Sequence, residues 1–194
     1  MARPALEPRQ TYRSQLHDLA QETYGYITTG MAAELGIPAA VVVKLAARGR
    51  LASTPALVQI AWGLYRFDDI PISPRDEYME AVLRVGPEAF LIDETVLALH
   101  ELALVAPRRI RVGTPRRVRS ALPATIEVVH ANLPPEDLTR YDGIPATTVA
   151  RALIDCRATV MQDRLLEAAI KAEQEGLLLR RDTPRILAEL RKPL

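Results

Sequence analysis

The sequence has little of several residue types, and each shortage excludes a class of protein. A single cysteine, Cys156, stands among 194 residues, so an intramolecular disulfide framework is impossible. Aromatic residues make up only 5% of the chain, so rows of aromatic side chains stacking on nucleic-acid bases are not expected. No apolar run is long enough to cross a membrane, and the N-terminal segment lacks the apolar core of a signal peptide. We therefore expect a cytoplasmic protein.

The sequence also lacks the spacings that catalysis or metal binding requires. Asp93 and Glu94 are adjacent and so point apart on a helix, and Glu94 and His100 are too far out of phase to share a helical face. The pair His100-Glu101 lacks the second histidine of a zinc-protease helix, and no glycine-rich loop has phosphate-cradling spacing. We expect no catalytic residue, no metal ligand and no cofactor.

What the chain does contain is an ordinary globular composition with an uneven charge distribution. Hydrophobic residues make up 48% and charged residues 25%, values typical of a folded protein of one or two small domains. The net charge is only +1, yet residues 71–105 carry two arginines against seven acids. Residues 106–119 carry six arginines and no acid. This arginine cluster consists of Arg108, Arg109, Arg111, Arg116, Arg117 and Arg119.

Hydrophobic periodicity and capping residues predict the order of elements of a winged helix-turn-helix in the first third of the chain. Three helices are expected over Tyr12–Gln21, Thr29–Leu35 and Pro38–Arg48, the second capped by Thr29, with a short extended segment at Tyr26 and Ile27. Two strands are expected at Leu51–Thr54 and Trp62–Phe67, with "PALVQIA" as the loop, or wing, between them.

The rest of the chain predicts a mixed α/β domain. Strands are expected at "EAFLI", "RRIRVGT" and "ATIEVVHA". Helices are expected from Ser73 to Gly86, from Asp93 to Leu102, from Thr147 or Thr148 to Arg157, from Met161 to Glu175, and from Asp182 or Thr183 onward. Asp76 stands where a capping-box acid belongs after Ser73, and Asp93 is expected to cap its helix. The helix from Met161 is expected to turn four residues inward, namely Leu165, Leu166, Ala169 and Ile170. The predicted fold class is therefore α+β. Residues 1–70 form a winged helix-turn-helix, and residues 71–194 form a mixed α/β domain with a small sheet and terminal helices.

Three segments together resemble the AbiEi-type antitoxin family of type IV toxin–antitoxin and abortive-infection systems. They are "YITTGMAAELGIP…LAARGRL" followed by "GLYRF", then "VGPEAFLIDETVLALHEL", then "YDGIPATTVARALIDC". The resemblance extends over roughly residues 24–190. It implies an antitoxin whose N-terminal domain represses its own operon by binding promoter DNA. It also implies a C-terminal domain that opposes a nucleotidyltransferase toxin, and it leaves open whether the toxin is contacted directly.

The chain departs from this family at two places. Family members often have a serine before the helix acid of the second segment, where this chain has "IDE" at residues 92–94. They also usually carry polar residues at the exposed positions of the helix that reads DNA. Here those positions hold apolar residues, namely Ala39, Ala40, Val41 and Val43.

Base reading requires donors and acceptors at the groove edge, and the predicted reading helix offers only Lys44 and Arg48, with Arg50 just beyond it. Long cations suit phosphates, which position a protein rather than specify a sequence. Ala40 and Val43 suit thymine methyl groups. Further candidate contacts at helix ends and in the wing are Thr28, Thr29, Ser53, Thr54 and Gln59. The alternative is that this domain is a packing module, with Ala40 and Val43 at a protein interface.

The sequence alone leaves three interpretations of the arginine cluster open. It extends the phosphate footprint, it binds an acidic surface of a toxin, or it is a solvated pair of strands. Alternation in "RRIRVGT" places Arg109 and Arg111 on one face of a strand. Arg151 and Asp155, four residues apart on a helix, are expected to form an ion pair, and Cys156 to lie in the core.

The predicted partners are promoter DNA and a cognate toxin, with no membrane and no small-molecule cofactor. Two alternatives to the antitoxin function stay open. One is a DNA-binding transcriptional regulator without a toxin partner. The other is a hydrolase or nuclease, which the sequence disfavours because none of its three lysines lies in an acidic cluster.

Overall fold

The computed structural model describes residues 11–49 and 56–193. Helices and two small sheets make up this part of the chain, so the predicted α+β class is confirmed. The chain divides into two compact units, the first ending at Asp76 and the second beginning at Glu77. None of the helices within the described ranges is long and apolar enough to cross a membrane.

The first unit contains three helices and a three-stranded antiparallel sheet. Its elements are α1 (Tyr12–Glu22), β1 (Tyr26–Thr28), α2 (Thr29–Glu34), α3 (Ala39–Gly49), β2 (Leu57–Ala61) and β3 (Leu64–Phe67). Strand β3 lies between β1 and β2. Tyr65 at its centre lies opposite Ile27 on one side and Gln59 on the other.

One hydrophobic core holds these elements together. The helices contribute Leu16, Ala20, Ala32 and Val42, the strands contribute Ile27, Leu57, Tyr65 and Phe67, and Ile37 enters from the turn before α3. Leu16 and Ala20 are one helical turn apart, which gives α1 a single buried stripe. Helix α2 is capped by Thr28 and not by the predicted Thr29, because Thr28 has the extended backbone that an N-cap requires. Its hydroxyl accepts the N–H of Met31 at 3.1 Å.

The strand hairpin differs from the sequence prediction. The predicted strand Leu51–Thr54 lies outside the described residues, and the segment predicted as the wing loop contains strand β2. Only Trp62 and Gly63 separate β2 from β3, and Gly63 supplies the positive φ (+71°) that this tight turn requires. At the open end of the hairpin, the N–H of Ala56 donates to the Asp68 carboxylate at 2.6 Å, and the N–H of Asp68 donates to the Ala56 carbonyl at 3.0 Å.

The second unit contains a five-stranded mixed sheet of order β6-β5-β4-β8-β7. The strands are β4 (Phe90–Leu91), β5 (Ile110–Thr114), β6 (Ile126–His130), β7 (Leu138–Tyr141) and β8 (Ile144–Thr147). The helices are α4 (Asp76–Val85), α5 (Asp93–Leu99), α6 (Val149–Asp155), α7 (Gln162–Gln174) and α8 (Thr183–Leu190). Short 3₁₀ helices span Pro135–Asp137 and Cys156–Ala158. Strands β5 and β6 run parallel, as do β4 and β8, whereas β4–β5 and β7–β8 are antiparallel.

The structure differs from the sequence prediction at both ends of α5 and at one position of α7, and it identifies the cap of α6. Asp93 does not cap α5: the cap position is Ile92, and Asp93 is the first helical residue with φ +52°, its carboxylate bound to Arg111 at 2.6 Å. Helix α5 ends at Leu99 rather than at Leu102. Thr148 caps α6, because its hydroxyl accepts the N–H of Arg151 at 3.2 Å. Ile170, predicted to point inward from α7, is 48% exposed.

Candidate nucleic-acid interface

Helix α3 has a buried face and an exposed face. Val42 is fully buried, while Leu45 and Ala46 pack against the core at its edge. The residues on the exposed face are spaced three, four, seven or eight positions apart, so they form a single stripe along the helix. This stripe consists of Ala40, Val43, Lys44, Ala47 and Arg48. The predicted cations Lys44 and Arg48 are therefore both exposed, one helical turn apart, beside the apolar Ala40 and Val43.

Negative charge is nearly missing from the sequence around this helix. Between Tyr24 and Phe67 the only acidic residue is Glu34, in α2. The basic residues of the same segment are Lys44, Arg48, Arg50 and Arg66. Helix α3 itself carries no acid, so the only charged side chains on its exposed face are the cations Lys44 and Arg48, which suit a polyanion.

Arg66 does not contribute to an exposed basic surface. Its guanidinium binds the Asp76 carboxylate at 3.0 Å and donates to the carbonyls of Ile70 and Pro71 at 2.9 and 3.3 Å. Asp76 also accepts the backbone N–H of Ser73 at 3.0 Å, which is the predicted capping-box contact. We call the Arg66–Asp76 pair and the carbonyls it holds the Arg66 clamp, because it fixes residues 70–76 to strand β3.

The hairpin presents a residue that the sequence prediction missed. The indole of Trp62 is 96% exposed, whereas Trp62 was expected to be the first residue of a strand. On β2, Val58 and Gln59 are also exposed, and the Gln59 amide donates to the Ala61 carbonyl at 3.2 Å. A Trp-Gly pair between two short apolar runs was the available signal for a turn with an outward side chain.

The remaining predicted DNA contacts have different positions. Thr28 and Thr29 are half-buried at the start of α2, and the N–H of Thr29 donates to the Gly63 carbonyl at 2.9 Å. This bond joins the start of α2 to the hairpin turn. Arg50, Ser53 and Thr54 lie outside the described residues, so their predicted roles stay predictions.

The arginine cluster of the second unit separates into paired and unpaired members. Arg111 is half-buried and contacts three carboxylates, those of Asp93, Glu94 and Glu127, at 2.6, 3.4 and 3.5 Å. Arg116 forms two hydrogen bonds with Glu88, at 2.6 and 2.7 Å. The other four members are exposed and form no ion pair with any residue in the described ranges: Arg108, Arg109, Arg117 and Arg119. The predicted basic strand face therefore excludes Arg111.

The surroundings of Asp93 and Glu94, the two partners of Arg111 on α5, shift their pKa values in opposite directions. Burial raises the pKa of Asp93 above its ordinary value, and the nearby Arg111 only partly opposes this effect. Burial also disfavours the Glu94 carboxylate, but hydrogen bonds from the Thr159 hydroxyl and from its own backbone, together with Arg111, lower its pKa overall. Asp93 is bound by Arg111, and Glu94 by Arg111 and the Thr159 hydroxyl.

Arg108 and Arg109 border a groove of about 480 Å³ on the second unit. Its lining includes the apolar side chains of Val105, Ile110 and Ile126. Leu104, which precedes this lining in the chain, is 82% exposed and has φ +48°, a conformation that non-glycine residues adopt at an energetic cost. The groove thus combines apolar lining residues with the positive charges of Arg108 and Arg109, and its lining also includes Glu77 and Glu80.

Other predicted residues have structural partners. Arg151 binds Asp155 at 2.6 Å, as predicted, and also binds Asp137 at 3.1 Å. Cys156 is buried, and burial raises the pKa of its thiol, with nearby carboxylates acting in the same direction. Within the described ranges, no group of three or more His, Cys, Asp or Glu residues could hold a metal ion.

Comparisons of the sequence with models of protein families and with curated proteins find no match.

Proposed function

We propose that the chain is a DNA-binding antitoxin that represses transcription of its own operon. In this proposal the first unit is a winged helix-turn-helix with α3 as the helix that enters the major groove. One observation carries the DNA-binding half of the proposal. The exposed stripe of α3 presents Lys44 and Arg48 on a helix without acids.

The chemistry of the stripe favours duplex DNA over a protein partner. An α-helix has a diameter of about 10–12 Å, which fits a major groove about 12 Å wide. Lys44 and Arg48 lie one turn apart, a spacing with which both reach phosphates when the helix is seated. Ala40 and Val43 then face the base edges, where they can contact only thymine methyl groups. We therefore expect modest sequence preference and strongly salt-dependent affinity.

The decisive experiment measures binding of the full-length chain to the DNA upstream of its own gene as a function of salt. The double substitution Lys44→Ala and Arg48→Ala removes two phosphate contacts, so the slope of log affinity against log salt should decrease by roughly 2. The matched control is Arg180→Ala with Arg181→Ala, which removes two exposed cations of the second unit. Equal slopes for the wild type and the Lys44/Arg48 variant would exclude this placement of the DNA.

The second half of the proposal assigns antagonism of a nucleotidyltransferase toxin to the second unit. It is supported by the resemblance of "YDGIPATTVARALIDC" to the AbiEi-type family. If the toxin is contacted directly, the groove bordered by Arg108 and Arg109 is the candidate surface, since arginines bind carboxylates and the lining includes apolar residues. Indirect opposition would require no such surface.

Coexpression in cells tests this second half. The partner is the nucleotidyltransferase gene expected next to the gene of this chain. We expect the wild type to restore growth of cells that express this toxin, and the variant Arg108→Glu with Arg109→Glu to restore it less. The Arg180/Arg181 variant serves again as the control. A wild type that binds promoter DNA but never protects cells would instead support a regulator without a toxin partner.

We do not propose catalysis. Asp93 and Glu94, the acids most suited to a hydrolase or nuclease, are bound to Arg111.

A further inference from the structure

Strand β6 forms one edge of the sheet in the second unit, and part of its backbone has no partner. The N–H of Ala131, just after β6, donates to the carbonyl of Thr114 in β5 at 3.0 Å. Successive residues of a paired strand direct their backbone groups alternately toward and away from the partner strand. Val129 therefore also faces β5, whereas Val128 and His130 face away from it. Among the described residues, no group accepts the N–H of Val128 or of His130.

This edge lacks the features that usually block the addition of another strand. Strand β6 pairs with β5 in unbroken register over five residues, and it contains no proline or lysine. Its one acid, Glu127, contacts Arg111 at 3.5 Å. The opposite edge strand, β7, has only four residues, follows Pro134 and Pro135, and carries the exposed Arg140. Because short strands, prolines and charges protect an edge from pairing, β6 is the more open of the two described edges.

The groove bordered by Arg108 and Arg109 lies beside the start of this edge. Ile126, the first residue of β6, lines the groove together with Ile110, its partner on β5. Val128 is two residues along the strand, so its side chain is on the same face of the sheet as that of Ile126. A strand added to β6 would therefore pass the mouth of the groove.

The charges around the groove favour an acidic segment. Its lining contains two acids, of which Glu80 is bound to Arg84 at 2.7 Å. Arg108 and Arg109 are exposed and form no ion pair with any residue in the described ranges. These two cations outnumber the remaining acid of the lining, Glu77, so the site has an excess of positive charge. Arginines in this position suit carboxylates.

We propose that an extended acidic segment of the toxin adds to β6 as a sixth strand of the sheet. This inference rests on the proposed function and deepens it, because it names the way in which the toxin is contacted. The N–H groups of Val128 and His130 donate to main-chain carbonyls of the segment. An apolar side chain of the segment enters the groove beside Ile126, and its acids pair with Arg108 and Arg109. In strand addition, main-chain bonds supply affinity and side-chain pockets supply specificity.

A second copy of the chain is a weaker candidate for the added strand. Two β6 strands that paired in antiparallel orientation about Val128 would bring Arg108 and Arg109 of one copy near His130 of the other. Residues 128–135 contain no acid, so these arginines would meet no carboxylate there.

Amide hydrogen exchange, resolved by residue with NMR, tests the edge directly. The full-length chain is studied alone and with a catalytically inactive form of the nucleotidyltransferase encoded beside its gene. The complex should slow exchange at Val128 and His130 by about tenfold or more. Arg140 on β7 supplies the internal control. The N–H of Thr148 donates to the Asp137 carbonyl at 2.8 Å, so Arg140, three residues further along, faces away from β8 and should keep its exchange rate.

A pair of proline variants measures the contribution of the edge to affinity. Val128→Pro removes a donor that the sheet does not use, so the chain should fold and bind the inactive toxin about tenfold more weakly. Arg140→Pro makes the same change on the opposite edge and should bind like the wild type. If Val128→Pro does not fold, the exchange measurement on the wild type decides alone.

The outcomes separate this inference from the proposed function. A complex with unchanged exchange at Val128 and His130 would overturn strand addition and leave direct contact standing. Protection of cells by a chain that forms no complex would overturn the inference and leave the antitoxin function standing. A chain that neither binds the toxin nor protects cells would overturn both. Slow exchange at Val128 without toxin would show that the chain itself covers the edge, or a second copy if the effect grows with protein concentration. Either result would overturn the inference.

Discussion

The side chain of Arg111 links strand β5 to helix α5 and to strand β6 through ion pairs. It extends from β5 to Asp93 and Glu94 at the start of α5 and to Glu127 on β6. Its side chain is 28% exposed and that of Asp93 only 16%, so the pair is partly withdrawn from water. Charges in such a position require their partners, because an unpaired carboxylate there keeps the cost of desolvation without its compensation.

We predict that Arg111→Met lowers the free energy of unfolding by about 2 kcal/mol at neutral pH, as measured by urea denaturation. The control is Arg116→Met, whose exposed pair with Glu88 should contribute little. A variant as stable as the wild type would contradict the structural role of Arg111.

The same substitution should give a pH-dependent loss of stability. Burial already raises the folded-state pKa of Asp93 above its ordinary value of 3.8, and removal of Arg111 should raise it further. A carboxyl whose folded pKa is raised binds more protons in the folded than in the unfolded state, so stability falls as pH rises through this range. The deficit of Arg111→Met should therefore be larger at neutral pH than near the ordinary pKa. An equal deficit at both pH values would assign it to lost packing instead.

At the scale of elements, Gly113 determines how closely β4 and β5 can pair. A Cβ atom at this position would lie 2.6 Å from Cε2 of Phe90 and 2.8 Å from Cγ2 of Ile92. Phe90 and Gly113 are directly opposite in the antiparallel register, so the Phe90 ring lies over the glycine backbone. The centre of the sheet thus depends on a residue without a side chain.

We predict that Gly113→Ala destabilises the protein by about 2 kcal/mol, because neither neighbour is the flexible end of a long side chain. The matched control is Gly30→Ala in α2, where the nearest atom would be 3.6 Å away. That control should be neutral or stabilising by about 0.5 kcal/mol. Urea denaturation followed by circular dichroism measures both, and equal stability of the two variants would contradict the close packing at Phe90.

Helix α3 leads to a prediction about bases. If Ala40 and Val43 face the major groove, replacing thymine by uracil in the upstream duplex removes the methyl groups they contact. Each lost methyl contact should cost about 0.8 kcal/mol, roughly a fourfold loss of affinity. Val43→Ser should lose part of this discrimination. Equal affinity of the wild type for the two duplexes would place the apolar face of α3 away from the bases.

The helices were largely predictable from sequence and the hairpin was not, for a physical reason. Caps and periodicity are local signals, so Pro38 and Gly49 predict the bounds of α3, and Thr147 or Thr148 predicts the start of α6. The run that contains β2 is compatible with either a strand or an apolar loop, and its state depends on pairing with β3. Local alternation also predicts that Arg111 lies on a strand. Its partners Asp93 and Glu94 belong to α5, however, and only tertiary packing brings them close to Arg111.

At the scale of the whole molecule, the net charge of +1 conceals a separation of charge along the chain. The proposed DNA contacts Lys44 and Arg48 lie in the first unit, whereas Arg108 and Arg109 lie in the second. A pI near 7.9 would not by itself suggest nucleic-acid binding. Local composition is therefore more informative than the total.

If the proposed function is correct, repression and protection from the toxin should be lost separately. Lys44→Ala with Arg48→Ala should relieve repression of a reporter gene while leaving toxin protection intact. Arg108→Glu with Arg109→Glu should have the opposite effect. The two readouts are reporter expression and growth of cells that express the toxin. Loss of both activities in either variant, with folding unchanged by circular dichroism, would argue against separate surfaces.

The Arg66 clamp has a practical consequence for dissecting the protein. A truncated first unit that stopped at Ile70 would discard Asp76 and the Pro71 carbonyl, and would leave a guanidinium that is only 12% exposed without its counter-charge. An expression fragment that extends just beyond Asp76 keeps that carboxylate and its capping bond to Ser73. The C-terminal boundary of an isolated N-terminal fragment should therefore decide whether that fragment folds and stays in solution.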